Sequence, residues 1–178
     1  MLFKKIIAPG RFGLLRKKVQ IKKEVGIMAK EQRRRLISEE EKLLEKSMIN
    51  IASSSKESER IAAAEALEKL RDARAVPDLI RAFEKDKSPT VKVKALLALG
   101  AIADERTVKP LVEALKTEKD PATIYRISWV LGAIGSTRAI DLLLKYQHSE
   151  NALVKDGARK ALEQILKKHP EALKKVPD

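Results

Sequence analysis

"PTVKVKALLALGAIADERTVKPLVEAL", Pro89–Leu115, decides how this chain folds. Ser88 precedes it, so an N-cap residue stands before a proline at the first helical position. Asp120-Pro121 repeats that start. The first helix of the stretch is expected to end near Gly100–Asp104, and its later counterpart near Gly132–Gly135, where glycine helps the chain turn. A second helix follows, with Val108, Leu111, Val112 and Leu115 at the spacing of one helix face.

The pattern recurs on either side. Ala63–Phe83, Ala95–Leu115 and Ile127–Gln147 align at an offset of 32 residues. Leu67, Leu99 and Leu131 fall together, as do Leu70, Ile102 and Ile134. Val76, Val108 and Ile140 align, and so do Leu79, Leu111 and Leu143. A fourth copy, Ala158–Leu166, follows at 31 and places Leu162 and Ile165 on the first two of these positions. One such helical hairpin cannot bury its apolar face alone. Stacked neighbours bury it jointly, which predicts an all-α solenoid.

On these residues the chain resembles HEAT-repeat proteins of the short PBS-lyase-like type known from bacteria and archaea. Pro89, Val91, Ala95, Ala98, Leu99, Gly100, Asp104, Val108 and Leu111 fit that repeat's course. Lys92 stands where Arg is usual, and Arg60 and Lys155 take the place in copies one and four. The resemblance covers roughly residues 57–168 and implies a fold rather than an activity. It also implies a basic–acidic ladder between neighbouring repeats. Copy three does not carry the ladder through, since Thr123 and Ile124 replace the Val-Arg pair and Ser136 replaces the loop Asp. The expected architecture is an α-solenoid of about four HEAT-like hairpins, at about 55–86, 87–118, 119–149 and 150–178, behind an N-terminal capping helix.

Composition agrees. Charged residues make up 35% and aromatics 3% of 178 residues, so the core has to be aliphatic. There is no cysteine, hence no disulfide framework and no thiolate chemistry. The longest apolar run, Ala95–Ala103, is too short to cross a bilayer. The N-terminus lacks the apolar core of a secretory signal, and a cytoplasmic protein without membrane insertion is expected. Scarce Asn (Asn50, Asn151) with abundant Lys and Glu leans towards a thermophilic source.

The charge is concentrated at the start. Residues 1–35 carry twelve Lys or Arg against Glu24 and Glu31, which is +10 of the chain's +13. Residues 1–27 form a basic segment interrupted by Pro9-Gly10 and Gly13. As protein, such a segment suits RNA phosphates or an anionic membrane surface. Alternatively, Lys22–Val25 contains Lys-Glu-Val just before Gly-Ile-Met28. The codons AAG GAG GTG would spell a ribosome-binding site there, making Met28 the initiator and residues 1–27 translated leader. The intact mass of protein from the native host separates the two readings. Residues 28–54 are expected to hold a basic entrance and an amphipathic cap. Ser38–Glu41 has the form of a capping box, with Leu43, Leu44, Met48 and Ile51 on one face behind it. Ser53–Ser55 ends that helix, and Pro170–Lys175 closes copy four.

No reaction is written in the residues. The histidines, His148 and His169, have no second histidine at ligand spacing, and no His-Glu dipeptide occurs, unlike the iron-binding HEAT-repeat hydroxylases. Phycobilin lyases share the repeat type, but no cysteine or local motif marks a chromophore site. No catalytic, cofactor or metal residues are assigned, and no cofactor is expected.

Binding candidates lie on three surfaces. Tyr125 and Trp129 are four residues apart on a first helix and align with Val93 and Leu97. Glu65 and Lys160 occupy equivalent positions, so these four form either an outward apolar strip or a groove filling between repeats. On the second helices, expected to line the concave side, Arg81, Glu113 and Lys145 are equivalent, with Lys85 and Tyr146 nearby. Their mixed signs suit a protein ligand better than a phosphate track. Lys30, Arg33, Arg34 and Arg35 form a basic patch suited to RNA or to solubilising a helix end. The leading reading is a non-catalytic protein-interaction scaffold with a protein partner. An RNA- or ribosome-associated factor comes second, and a lyase-like accessory subunit third.

Overall fold

A computed structural model describes the backbone of residues 9–175 and the side chains of residues 20–172. The elements are α1 (Pro9–Ser53), α2 (Glu57–Leu70), α3 (Val76–Lys85), α4 (Pro89–Ile102), α5 (Val108–Thr117), α6 (Pro121–Ile134), α7 (Ile140–Tyr146) and α8 (Ala152–Lys168). Single 3₁₀ turns at Ala73–Ala75, Glu105–Thr107 and Thr137–Ala139 join the helices of each hairpin. No strand occurs among the described residues. The chain divides into two compact units, residues 1–42 and 43–178.

The starts read from the sequence are built as expected. Ser88 and Asp120 cap α4 and α6 by accepting from the backbone N–H of Val91 and Thr123, with proline next in line. Asn151 does the same for α8, accepting from Leu153 and Val154. The ends fall within the spans expected, α4 at Ile102 and α6 at Ile134. Gly100 and Gly132 are still helical, and the left-handed turn residues are Arg71 (φ 52), Ala103 (φ 56) and Gly135 (φ 85), one per hairpin at the same repeat position. Gly100 and Gly132 serve close packing instead. A Cβ on Gly132 would lie 2.8 Å from the Ala161 Cα of the next first helix.

In the second unit the first helices α2, α4, α6 and α8 pack in succession, and α3 and α7 pack on the first helix of the following repeat. The repeat positions are the core: Leu67, Leu99, Leu131, Leu79, Leu111 and Leu143 are fully buried. Three hairpins are complete. The fourth copy is one long helix, α8, closed by a 3₁₀ turn at Pro170–Lys175 that buries Ala172.

Polar links fasten each repeat to the next. The Ser88 hydroxyl donates to Glu57, that of Ser136 to Glu105 at 3.2 Å, and that of Tyr146 to the Leu115 carbonyl at 2.6 Å. Arg106 reaches the Ala73 carbonyl at 2.6 Å, and Lys94 pairs with Glu65 at 2.7 Å. The ladder implied by the family resemblance takes another form. Arg60 pairs within its own repeat, donating to both oxygens of Asp86 at 2.7 and 3.0 Å and to the Ser54 and Ser55 carbonyls. Lys92 finds only the Glu84 carbonyl, at 3.2 Å. The loop Asp72 and Asp104 cap their own 3₁₀ turns and hold Arg74 and Arg106. Ammonium and guanidinium groups here satisfy nearby helix-end carbonyls, which a stacked helix end leaves without intrahelical donors.

The N-terminal helix departs most from the sequence reading. No new helix starts at Ser38, because α1 is already helical from Pro9 and good helix formers carry it past the serine. Gly10 and Gly13 do not interrupt it either. Its last turns join the repeat core through Leu44 and Ile51, with Met48 half-buried. Leu43 is exposed, and Ser47 takes the inward position instead.

Candidate interaction surface

The first helices of copies two and three offer an apolar surface strip. Tyr125, Val93 and Leu97 are half-buried, and Trp129 is 39% exposed. Both alternatives for the aromatic pair are present at once. The Trp129 indole stands over Gly100 of the preceding repeat, where an added Cβ would come within 2.8 Å of the ring. Tyr125 covers Gly157 of the following helix, where an added Cβ would come within 2.9 Å of the ring, and the Lys160 ammonium sits 6.0 Å from its ring centre. Each ring fills an inter-repeat gap with one side and leaves the other to solvent.

Val93 also lines an open groove of about 430 Å³. Phe83, Leu96, Pro110 and Ala114 give it apolar walls. Glu84, Glu113, Glu118, Lys92 and Arg126 give it a rim of both signs. The walls come from the end of α3, the first half of α4, α5 and the start of α6, so the groove exists only where three successive repeats stack. Phe83 and Leu96 are buried in the core as well, and nothing in the sequence marked either as facing a groove.

The second-helix candidates are only partly brought together. Glu113 reaches the groove rim and pairs with Lys116 at 2.8 Å. Arg81 and Lys85 are exposed and line a separate shallow pocket with Ile51, Arg60 and Asp86. Lys145 is exposed on α7. Tyr146 is half-buried and held by its bond to Leu115, and burial pushes its phenol up. Lys30, Arg33, Arg34 and Arg35 are exposed on α1 in the first unit. His148 meets the Gln147 amide at 3.1 Å, and His169 meets Glu171 at 3.2 Å.

The carboxylates that matter electrostatically are structural. The Arg60 guanidinium holds the Asp86 carboxyl below the usual range, and Arg106 does the same for Asp104. Lys94 lowers Glu65 across a repeat boundary. No group of three or more His, Cys, Asp or Glu side chains among the described residues is placed to hold a metal ion. No helix among them is long and apolar enough to cross a membrane.

A family model for HEAT repeats matches residues 45–125 and 108–176. The chain belongs to the HEAT-repeat family. The matches begin beside the boundary between the two units, so the family's part is the second unit. Among solved structures, the complex of CpcE and CpcF of phycocyanin lyase from a Nostoc species superposes with a TM-score of 0.61 at 23% identity, over 72% of this chain. The chain spans 54% of the length of that one, and the likeness supports the HEAT-type solenoid fold. No curated protein matches the sequence.

Proposed function

We propose that this HEAT-repeat chain is a non-catalytic, cytoplasmic scaffold that binds a segment of another protein in the groove that copy two forms with copies one and three. One observation carries the reading: an apolar groove with a mixed-charge rim runs, through Val93, into the half-exposed strip of Leu97, Tyr125 and Trp129. Partly solvated aromatics beside a pocket are the usual anchors of protein interfaces. Rim charges of both signs select the partner's register and contribute less to affinity. The ligand that fits is an amphipathic helix or extended segment with two or three apolar side chains.

The test is affinity capture from the native host with the full chain and three variants. Leu97→Asp and Glu113→Lys/Arg126→Glu are expected to lose the same protein by at least tenfold, with unchanged circular dichroism. Arg81→Glu, outside the groove, is expected to retain it. Retention at high salt is expected, since apolar burial is not screened. Capture unaffected by both groove variants would dismiss the site.

The RNA-associated reading is supported by the exposure of Lys30, Arg33, Arg34 and Arg35. It predicts binding that falls steeply with salt and survives the groove variants. A lyase-like accessory role has only the likeness of fold behind it.

A further inference from the structure

Every described side chain from Gln20 to Lys42 on α1 is exposed, including large apolar ones. Ile21, Val25, Met28 and Leu36 are 57, 59, 68 and 56% exposed. With Gln32 they follow one another at steps of four, three, four and four residues. Each step is about one helical turn, so the five make a single stripe nearly parallel to the helix axis. Water is a poor environment for such a stripe, and a partner surface is expected to cover it.

The charges beside the stripe identify the partner. Along one edge run Glu24, Glu31, Arg35 and Lys42. An antiparallel copy of the same helix, centred on Gln32, sets Glu24 opposite Lys42 of the second copy and Glu31 opposite its Arg35. On the other edge Lys22 faces Glu40 of the second copy. Because the arrangement is two-fold, each of these pairs occurs twice. In the stripe itself, Met28 meets Leu36 of the second copy, Gln32 meets its own equivalent, and Val25 lies against the stem of Glu39. Arg33 facing Arg33 is the one like-charge approach. In a parallel pair each edge would instead face the opposite edge of the second copy, so the pairing of Glu24 with Lys42 and of Glu31 with Arg35 is lost. The Lys42–Glu39 contact at 3.2 Å within one helix is exposed and contributes little, so it can be exchanged for contacts between copies.

We infer that two copies of this chain associate through an antiparallel pairing of α1 over residues 20–42, in a register centred on Gln32. None of the residues in this pairing lines the groove.

The chain has no cysteine, so introduced thiols report the register cleanly. Full-length Met28→Cys and Leu36→Cys proteins are mixed under mild oxidation. The mixture is expected to give a disulfide-linked heterodimer at least about tenfold faster than either protein alone. Sedimentation equilibrium adds the charge test. Glu24→Lys/Glu31→Lys and Arg35→Glu/Lys42→Glu are each expected to be monomeric where the unmodified chain is dimeric, and their equimolar mixture to form a one-to-one dimer. A monomeric unmodified chain at hundreds of micromolar would overturn the inference, whether or not it shifts RNA or binds anionic vesicles. So would a mixture of the charge variants that stays monomeric, or cross-linking no faster between the two cysteine proteins than within one.

Discussion

Thr107 is fully buried with its hydroxyl unpaired, at a position where the other two hairpins place Ala75 and Ala139. A buried hydroxyl without a partner loses its water and regains nothing. Thr107→Val keeps the shape and removes that penalty, so it is expected to stabilise the fold by about 1 kcal/mol, read from chemical denaturation. Ala103 offers a second gain. Its φ of 56° is the left-handed region where a Cβ is crowded, and the equivalent residue in the third hairpin is Gly135. Ala103→Gly relieves strain worth about 1–2 kcal/mol and gives part of it back as unfolded-chain entropy. A net gain of about 0.5–1 kcal/mol is expected by the same measurement. Neither site was evident in the sequence. Thr107 fell in a polar loop pattern, and the end expected over Gly100–Asp104 spanned Ala103 without marking it as the left-handed residue.

At the scale of the helix, small residues mark where neighbours come close. Gly132→Ala would place its Cβ 2.8 Å from the Ala161 Cα, backbone that cannot swing aside. Crowding of about 1–3 kcal/mol outweighs the gain of about 1 kcal/mol from better helix propensity. The variant is expected to melt lower than the parent. Gly26→Ala is the opposite case, because nothing lies within 4 Å of its added Cβ. It should raise helicity by circular dichroism without lowering the melting temperature. Helix starts were legible because capping is local: Ser88-Pro89 and Asp120-Pro121 carry their own acceptors and geometry. The start of α1 was not, because Ser38 has the letters of a cap but lies inside a helix that begins at Pro9.

For the whole molecule, the Arg60–Asp86 pair links α2 to the end of α3 and to the Ser54 and Ser55 carbonyls, with both side chains under a tenth exposed. Asp86 ionises below its unfolded value, so the folded state holds fewer protons there. Its stabilisation is therefore complete above the unfolded carboxylate pKa of about 3.9 and lost as pH falls through the lower folded value. Thermal melts against pH are expected to be flat above about pH 5 and to fall below about pH 4. Asp86→Asn should lower the neutral-pH melting temperature by several degrees and flatten part of the acid limb. An unchanged acid limb would assign acid sensitivity to other carboxylates, such as Glu65 and Asp104.

The order of residues along the chain was enough for the repeat length, the hairpin and the buried face of each helix. A helix's inward stripe follows from its period alone, and Leu67, Leu99 and Leu131 are as buried as their phase required. The surface was a different matter. Val93, Leu97, Tyr125 and Trp129 share a face with residues as unlike them as Glu65 and Lys160, and the period cannot say how far the next helix overlaps that face. Trp129 rests on Gly100 and still shows 39% of itself to water because α6 lies across α4 at one particular offset. That offset, set by side chains far apart in the chain, also opens the groove along copies one to three.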